Sequence, residues 1–287
     1  MKKLVIFGVG LIGGSVALAL KKASVNTHIV GVGRTRSSLD EALNLGIIDV
    51  AESDIQAAVH DADIIMLAAP VAQTTQILKS IQPFLQPKTF ITDAGSTKSD
   101  VLANAKLVLG EQFNQFVGGH PIAGAEKSGA AAAMADLFIN KNVVLTPTAE
   151  THQNAIAAVA ELWRHCGANV TSMSAQQHDA IFAAVSHLPH LLAFALVDDI
   201  ASRPNAEQLF SFAASGFRDF TRIAGSHPEM WRDISLANKH ALLNEISAFE
   251  HELATVKQLL SNNDSAGLEA LFERASHARN QWAKSRQ

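Results

Sequence analysis

Val117 to Gly129 reads VGGHPIAGAEKSG and carries the chain's best-placed acid–base group, His120. An imidazole has an unperturbed pKa of about 6.5, so it can take a proton near neutrality. Gly118-Gly119 on one side and Gly124 on the other let main chain or ligand come close to the ring. Three remote segments offer partners for it. Ala94-Gly95-Ser96-Thr97-Lys98-Ser99 follows an apolar run and contributes the hydroxyl of Ser96. Ser186-His187-Leu188-Pro189-His190 spaces two histidines three apart, on one face of a helix. No HExxH and no cysteine pair accompanies them, so no metal is expected. Gly216-Phe217-Arg218-Asp219-Phe220-Thr221-Arg222, with Trp231-Arg232-Asp233 behind it, sets arginines among aromatics. That mixture suits a forked grip on a carboxylate, the alternative being an Arg–Asp pair that braces helices.

A second kind of chemistry is written at the N-terminus. The apolar run Leu4 to Phe7 enters Gly8-Val9-Gly10-Leu11-Ile12-Gly13, and an alanine- and leucine-rich segment, Ser15 to Lys22, follows. Strand, glycine turn and helix form the context in which GxGxxG signals a dinucleotide. Gly8 permits the turn, Gly10 lets the backbone meet a pyrophosphate, and Gly13 allows close helix–strand packing. Leu11 and Ile12 lie at the helix N-terminus, whose free N–H groups and positive dipole end attract phosphate. The second strand, His28 to Val32, should end in an acidic residue that reads the ribose 2′-hydroxyl of NAD. Gly33, Arg34, Thr35 and Arg36 stand there instead, a set that suits a 2′-phosphate. NADP is therefore expected over NAD. A third strand, Asp63 to Ala69, ends in Ala68-Ala69-Pro70, small enough to leave room for the nicotinamide half.

Size and composition set the frame for these sites. A chain of 287 residues with 48% hydrophobic and 17% charged residues can build two domains around large cores. A net charge of −4 without a long basic run argues against nucleic acid as the main ligand. Cys166 is the only cysteine, which fits a reducing cytoplasm. Lys2-Lys3 before an apolar run resembles a signal peptide, but Gly8, Gly10, Gly13 and Gly14 interrupt that run, so export is not expected. Ala180 to Val197 carries no formal charge, yet His187, Pro189 and His190 in its middle point to a buried helix and not a membrane span.

Further strands are expected at Thr89 to Asp93, Phe116 to Gly119, Asn142 to Thr146 and Ala168 to Ser172. Ala155, Val159, Leu162 and Cys166 mark an amphipathic helix before the last of these. Alternating strands and helices predict an α/β domain with a doubly wound (Rossmann-type) parallel sheet over residues 1–173. Ser96 and His120 would share the edge of that sheet where ligands collect. From Ser174 to Gln287 only helices are read, an all-helical second domain. Within it Leu242, Ile246, Phe249, Leu253, Val256 and Leu260 form a seam that needs a partner, so a homodimer is expected.

Taken together, GVGLIGGS, DAGSTKS, GGHPIAGAEKSG, SHLPHLLAFALVD and GFRDFTRIAGSHPEMWRDI resemble, in that order, the prephenate/arogenate dehydrogenases of tyrosine biosynthesis. The resemblance covers almost the whole chain. It implies a dinucleotide-binding domain, a helical dimerisation domain and an active site between them. It implies oxidative decarboxylation of a cyclohexadiene, with prephenate and arogenate left open as substrates. It matches His120 to the catalytic base and Ser96 to the serine near the substrate hydroxyl. Arg222 matches the arginine that holds the side-chain carboxylate, His190 a histidine on the substrate's side, and Asp219, Glu126 and Trp231 supporting positions. It also implies no room after the helical domain for an appended regulatory domain. Two other readings are weighed. Dehydrogenases of the β-hydroxyacid type use a lysine from the helical domain, but Val170 to Arg222 contains none. A non-catalytic cofactor sensor would have no use for His120, Ser96 and Arg222 together.

Overall fold

The computed structural model describes residues 1–125 and 127–284. Among the described residues there are eight strands: β1 (Lys3–Phe7), β2 (His28–Val32), β3 (Val50–Ala51), β4 (Ile64–Leu67), β5 (Phe90–Asp93), β6 (Phe116–Pro121), β7 (Asn142–Thr146) and β8 (Asn169–Ser172). Helices α1 (Leu11–Lys22), α2 (Arg36–Asn44), α3 (Ile55–Val59), α4 (Thr74–Ile81), α5 (Ser99–Leu109) and α6 (Gln153–His165) connect them. The strands form one sheet in the order 3-2-1-4-5-6-7-8.

Sequence dictates this layering through β1. All four residues Leu4, Val5, Ile6 and Phe7 are buried, as a central strand covered on both faces requires. Leu4 and Ile6 join a core with residues of α1, α2 and α6, including Trp163. Val5 and Phe7 face the opposite way, into a core that contains Val59, Leu78, Val101 and Leu109 of α3, α4 and α5. Helices therefore lie on both faces. Strand order reverses between β1 and β4, and at such a switch point ligands meet the carboxyl ends of the strands.

The sheet departs from all-parallel at one place. β6 runs parallel to β5 through Ile91↔Phe116 and Thr92↔Val117, then pairs antiparallel with β7, with His120 opposite Val144. The short edge strand β3 carried no legible signal, since two residues are too few for a period.

Beyond the sheet come α7 (Ala175–Phe182), a π-helical turn at Ala183–His187, α8 (Leu188–Ala201), α9 (Ala206–Ser211), α10 (Ser215–Thr221), α11 (Pro228–Ala237), α12 (Lys239–Ser261) and α13 (Ser265–Lys284). Pro189 explains the π turn: it has no N–H to donate to the preceding turn and its ring crowds the carbonyl there. Ala180 to Val197, expected to be a buried helix, is buried on one face only. Phe182, Ala183, His187, Leu188 and Ala193 are inside, whereas Val185 is 67% exposed. Residues Met1–Lys239 form one compact unit and His240–Gln287 a second.

Candidate active site

The glycine turn is built as its sequence requires. Gly8 sits at φ +94°, and a Cβ there would lie 2.8 Å from the Ala68 carbonyl oxygen. A Cβ on Gly13 would lie 2.3 Å from the Gly8 carbonyl oxygen, so α1 is seated against the turn at a distance only glycine allows. Gly10 is different, because a Cβ there would meet nothing within 4 Å. Gly10 is the N-cap of α1 and provides no side-chain cap. Open space thus lies over uncapped main-chain N–H groups, the cradle a pyrophosphate fits. Leu11 and Ile12, half-buried, open the helix, and the Ala68-Ala69-Pro70 stretch lies beside the turn.

Gly33, Arg34, Thr35 and Arg36 are all exposed at the end of β2. Arg36 Nε donates to Asp40 Oδ1 at 2.9 Å across one turn of α2, and the Thr35 and Ser38 hydroxyls pair with each other.

His120 is half-buried at the end of β6. The preceding glycines admit neighbouring parts of the protein, the main-chain approach expected from sequence among them. A Cβ on Gly118 would lie 2.4 Å from Thr146 Oγ1, and one on Gly119 would lie 2.7 Å from the Asp93 carbonyl oxygen. These two glycines let β5, β6 and β7 close around the histidine. On the other side Gly124 and Gly129 face open space.

Around His120 lies a buried polar network whose main members sequence reasoning passed over. His120 Nδ1 is 2.8 Å from His178 Nε2, and His178 Nδ1 is 2.8 Å from Asp179 Oδ1. Asp179 Oδ1 accepts from the Lys98 main-chain N–H at 2.9 Å, and Oδ2 accepts from that of Ser99 at 2.8 Å. The fully buried Lys98 ammonium pairs with Asp93, whose Oδ1 also accepts from Gly119 N at 3.0 Å. Asn238, capping α11, donates from Nδ2 to the Asp179 carbonyl oxygen at 2.8 Å and lies 3.1 Å from His187 Nδ1. Phe182 packs edge-on against His120, ring centroids 4.9 Å apart.

A signal for the missed pair did exist. Ala175, His178, Asp179, Phe182 and Ala183 are spaced 3-1-3-1, so His178 and Asp179 occupy the buried stripe of α7, where apolar residues belong.

Electrostatics follow from this burial. Desolvation first, then His178, Lys98 and His187, hold the His120 pKa well below the usual histidine value. His178 is lowered by burial against the opposing pull of Asp179. Burial alone would raise Asp179, but hydrogen bonds from His178, Ser99 and Lys98 outweigh it and keep the carboxyl below its ordinary range. His187 is pushed down to about 4, chiefly by burial.

The remaining expected residues fall into two groups. His190 stacks on Trp231 with ring centroids 3.7 Å apart and planes 20° apart, and His187 meets the same indole edge-on at 6.1 Å. His190 Nδ1 donates to the Ser186 carbonyl oxygen at 2.9 Å. Burial and then, after that opposing bond, the charge of Arg222 lower the His190 pKa, which places the guanidinium within electrostatic reach of this ring. Ser96, half-buried between β5 and α5, has its main chain against the His187 ring. Hence His120, His187, His190, Trp231, Arg222 and Ser96 belong to one connected set within the first compact unit. Asp219 is exposed on α10. Glu126 lies outside the described residues.

Comparison with known proteins identifies the frame around this set. Residues 16–172 match the family model described as prephenate dehydrogenase, nucleotide-binding domain, and residues 174–274 the one described as prephenate dehydrogenase, dimerization domain. A prephenate dehydrogenase of Bacillus subtilis is 38% identical over 278 residues, 96% of this chain and 75% of the relative. The crystal structure of prephenate dehydrogenase from A. aeolicus with hydroxyphenyl propionate and NAD+ has a TM-score of 0.91 and 38% identity, covering 98% of each chain. The structure of Synechocystis arogenate dehydrogenase has a TM-score of 0.83 and 29% identity, covering 98% of this chain and 99% of that one.

Proposed function

This chain belongs to the prephenate dehydrogenase family, and on that premise we propose that it oxidatively decarboxylates prephenate or arogenate. The observation that carries the reading is the run of contacts from His120, at the sheet edge, through His178, Asp179, Asn238 and His187 to Trp231 and His190 of the helices. In this reading a base and a carboxylate-binding cation flank one site that the nicotinamide also enters.

His120 takes the proton of the ring hydroxyl as the adjacent carbon gives up its hydride. The ring carboxylate leaves as CO2, its bonding pair completes the aromatic ring, and the proton returns to the phenolic oxygen. Proton removal builds carbonyl character that expels hydride, so the base acts mainly in the transition state. A nicotinamide cofactor supplies the two-electron acceptor when bound, held through Gly8, Gly10, Leu11, Ile12 and Gly13 with Ala69 and Pro70 beside it. Ser96 positions the hydroxyl, Arg222 holds the side-chain carboxylate, and His190 with Trp231 walls the substrate. Asp219 and Glu126 are kept as supporting positions.

NADP is the preferred cofactor in this reading, since Gly33 leaves the ribose position without a carboxylate while Arg34 and Arg36 stand exposed beside it. Residues 1–173 form the cofactor domain and 174–287 the substrate and dimerisation domain. The second copy covers Leu253, Leu260, Phe272 and Trp282, each more than half exposed in the single chain. The lone cysteine is buried and unpaired, which suits the cytoplasm.

Steady-state kinetics of the purified protein, with prephenate and arogenate each against NADP and NAD, test the proposal. One substrate should yield reduced nicotinamide and CO2 in equal amounts. No turnover with either would overturn it, and a preference for NAD would overturn the cofactor reading.

A further inference from the structure

We infer that His178 and Asp179 are positioning residues that fix the tautomer of His120 and so decide which of its ring nitrogens can act as base. The inference rests on the reading of His120 as the base and goes beyond it to the residues that prepare it.

Proton bookkeeping along the network leaves one arrangement. Both Asp179 oxygens accept main-chain N–H bonds at the start of α5, where the positive end of the helix favours a carboxylate. An ionised carboxylate only accepts, so the proton in the 2.8 Å contact with His178 belongs to His178 Nδ1. A neutral imidazole carries one N–H, so His178 Nε2 holds a lone pair. The 2.8 Å contact between that nitrogen and His120 Nδ1 then needs its proton on His120. His120 Nε2 is left bare.

Charges nearby act in the same direction. Lys98, His187 and burial disfavour a cationic His120, while Asp179 and Asp93 face His178. Asn238 closes the network from α11 by holding the Asp179 carbonyl oxygen. When His120 accepts a proton, the positive charge sits at the head of a chain that ends on Asp179, the arrangement that orients a triad histidine.

Asp179→Asn breaks the chain with almost no change in shape. With its nitrogen in place of Oδ1, the amide keeps the Ser99 bond, gives up the Lys98 bond and turns an N–H toward His178 Nδ1. His178 then donates from Nε2, His120 accepts at Nδ1, and the proton moves to the nitrogen that should be bare. Long-range ¹H–¹⁵N spectra of histidine-labelled protein read this directly, with His120→Asn assigning the signal. Wild type should show His120 protonated at Nδ1, and Asp179→Asn should show it at Nε2, with kcat lower by about 10²–10⁴ and KM changed less than about threefold.

His178→Gln separates positioning from a merely structural effect. Its side-chain oxygen stands in for Nε2 as an acceptor but no longer answers to residue 179. This variant should lose less kcat than Asp179→Asn, and adding Asp179→Asn to it should cost less than about threefold more. A wild-type His120 protonated at Nε2 would overturn the inference. So would an Asp179→Asn penalty equally large in the His178→Gln background. Wild-type turnover by His120→Asn would instead refute the base assignment, and the spectra would still decide the tautomer.

Discussion

Two regions at the carboxyl edge of the sheet are built in opposite ways. At the ends of β5 and β6, Asp93 and Lys98 meet His178, Asp179 and His187 of α7 and the π turn, none more than 4% exposed, each tied to a partner on another element or an adjacent residue. The end of β2 carries Gly33, Arg34, Thr35 and Arg36, all exposed, and the side chain of Arg36 is 65% accessible within a one-turn ion pair. Apart from His187 Nε2, which has no hydrogen-bond partner, the named side chains of the first region are held by buried pairs, so a change to one strands another. Exposed arginines contribute little to stability and can be changed freely. In the proposed function, chemistry is thereby anchored in the part that cannot vary cheaply, and cofactor choice sits in the part that can.

Substitutions at the two regions should separate accordingly. The largest effect is expected for Lys98→Met, which strands the Asp93 carboxylate in the interior and should cost about 3–5 kcal/mol of stability. Denaturant unfolding checks this, and adding Asp93→Asn should restore much of the loss. A Lys98→Met protein as stable as wild type would mean the pair is not doing what its burial implies.

Acid should act on the same region. His187 titrates near 4 in the fold and near 6.5 when unfolded, so between those values only the unfolded chain binds the proton. Stability is therefore full above about pH 6.5 and falls as pH drops toward 4, by up to roughly 3 kcal/mol from this group. His120, His178 and His190 are lowered too and add to the slope. Urea midpoints between pH 7 and pH 4.5 should fall less steeply in His187→Asn than in wild type, and equal slopes would refute this.

At the exposed loop the expected effect is smaller and confined to binding. Arg34→Ala with Arg36→Ala should raise KM for NADP about 10- to 100-fold through lost charge-assisted hydrogen bonds. KM for NAD should stay within about threefold and stability within about 0.5 kcal/mol. Equal effects on the two cofactors would make these arginines ordinary surface residues.

How much of this was legible depended on the range of the interaction. Local patterns read well: the glycine turn, the buried strand His28–Val32, and Asn142–Thr146 follow from apolar runs and turn residues within a few positions. The family resemblance carried His120, Ser96 and Arg222. The apolar stripe of α7 marks His178 and Asp179 as buried, but their partners lie 58 and about 80 positions away, and hydrogen bonds at that separation leave no local sign of what they bind. The same limit hid the antiparallel β6–β7 pair, since one strand's direction is not written in its own residues. Gly118 and Gly119 were legible as glycines but not in purpose, because the atoms they make room for belong to β5 and β7.

The central claim is that a largely neutral His120 is the base, and kcat for His120→Asn measures it most directly. It should fall about 10²–10⁴ with KM little changed. The wild-type limb of kcat/KM, rising as His120 loses its proton below pH 6.5, should disappear in the variant. Turnover within threefold of wild type, with that limb intact, would contradict it.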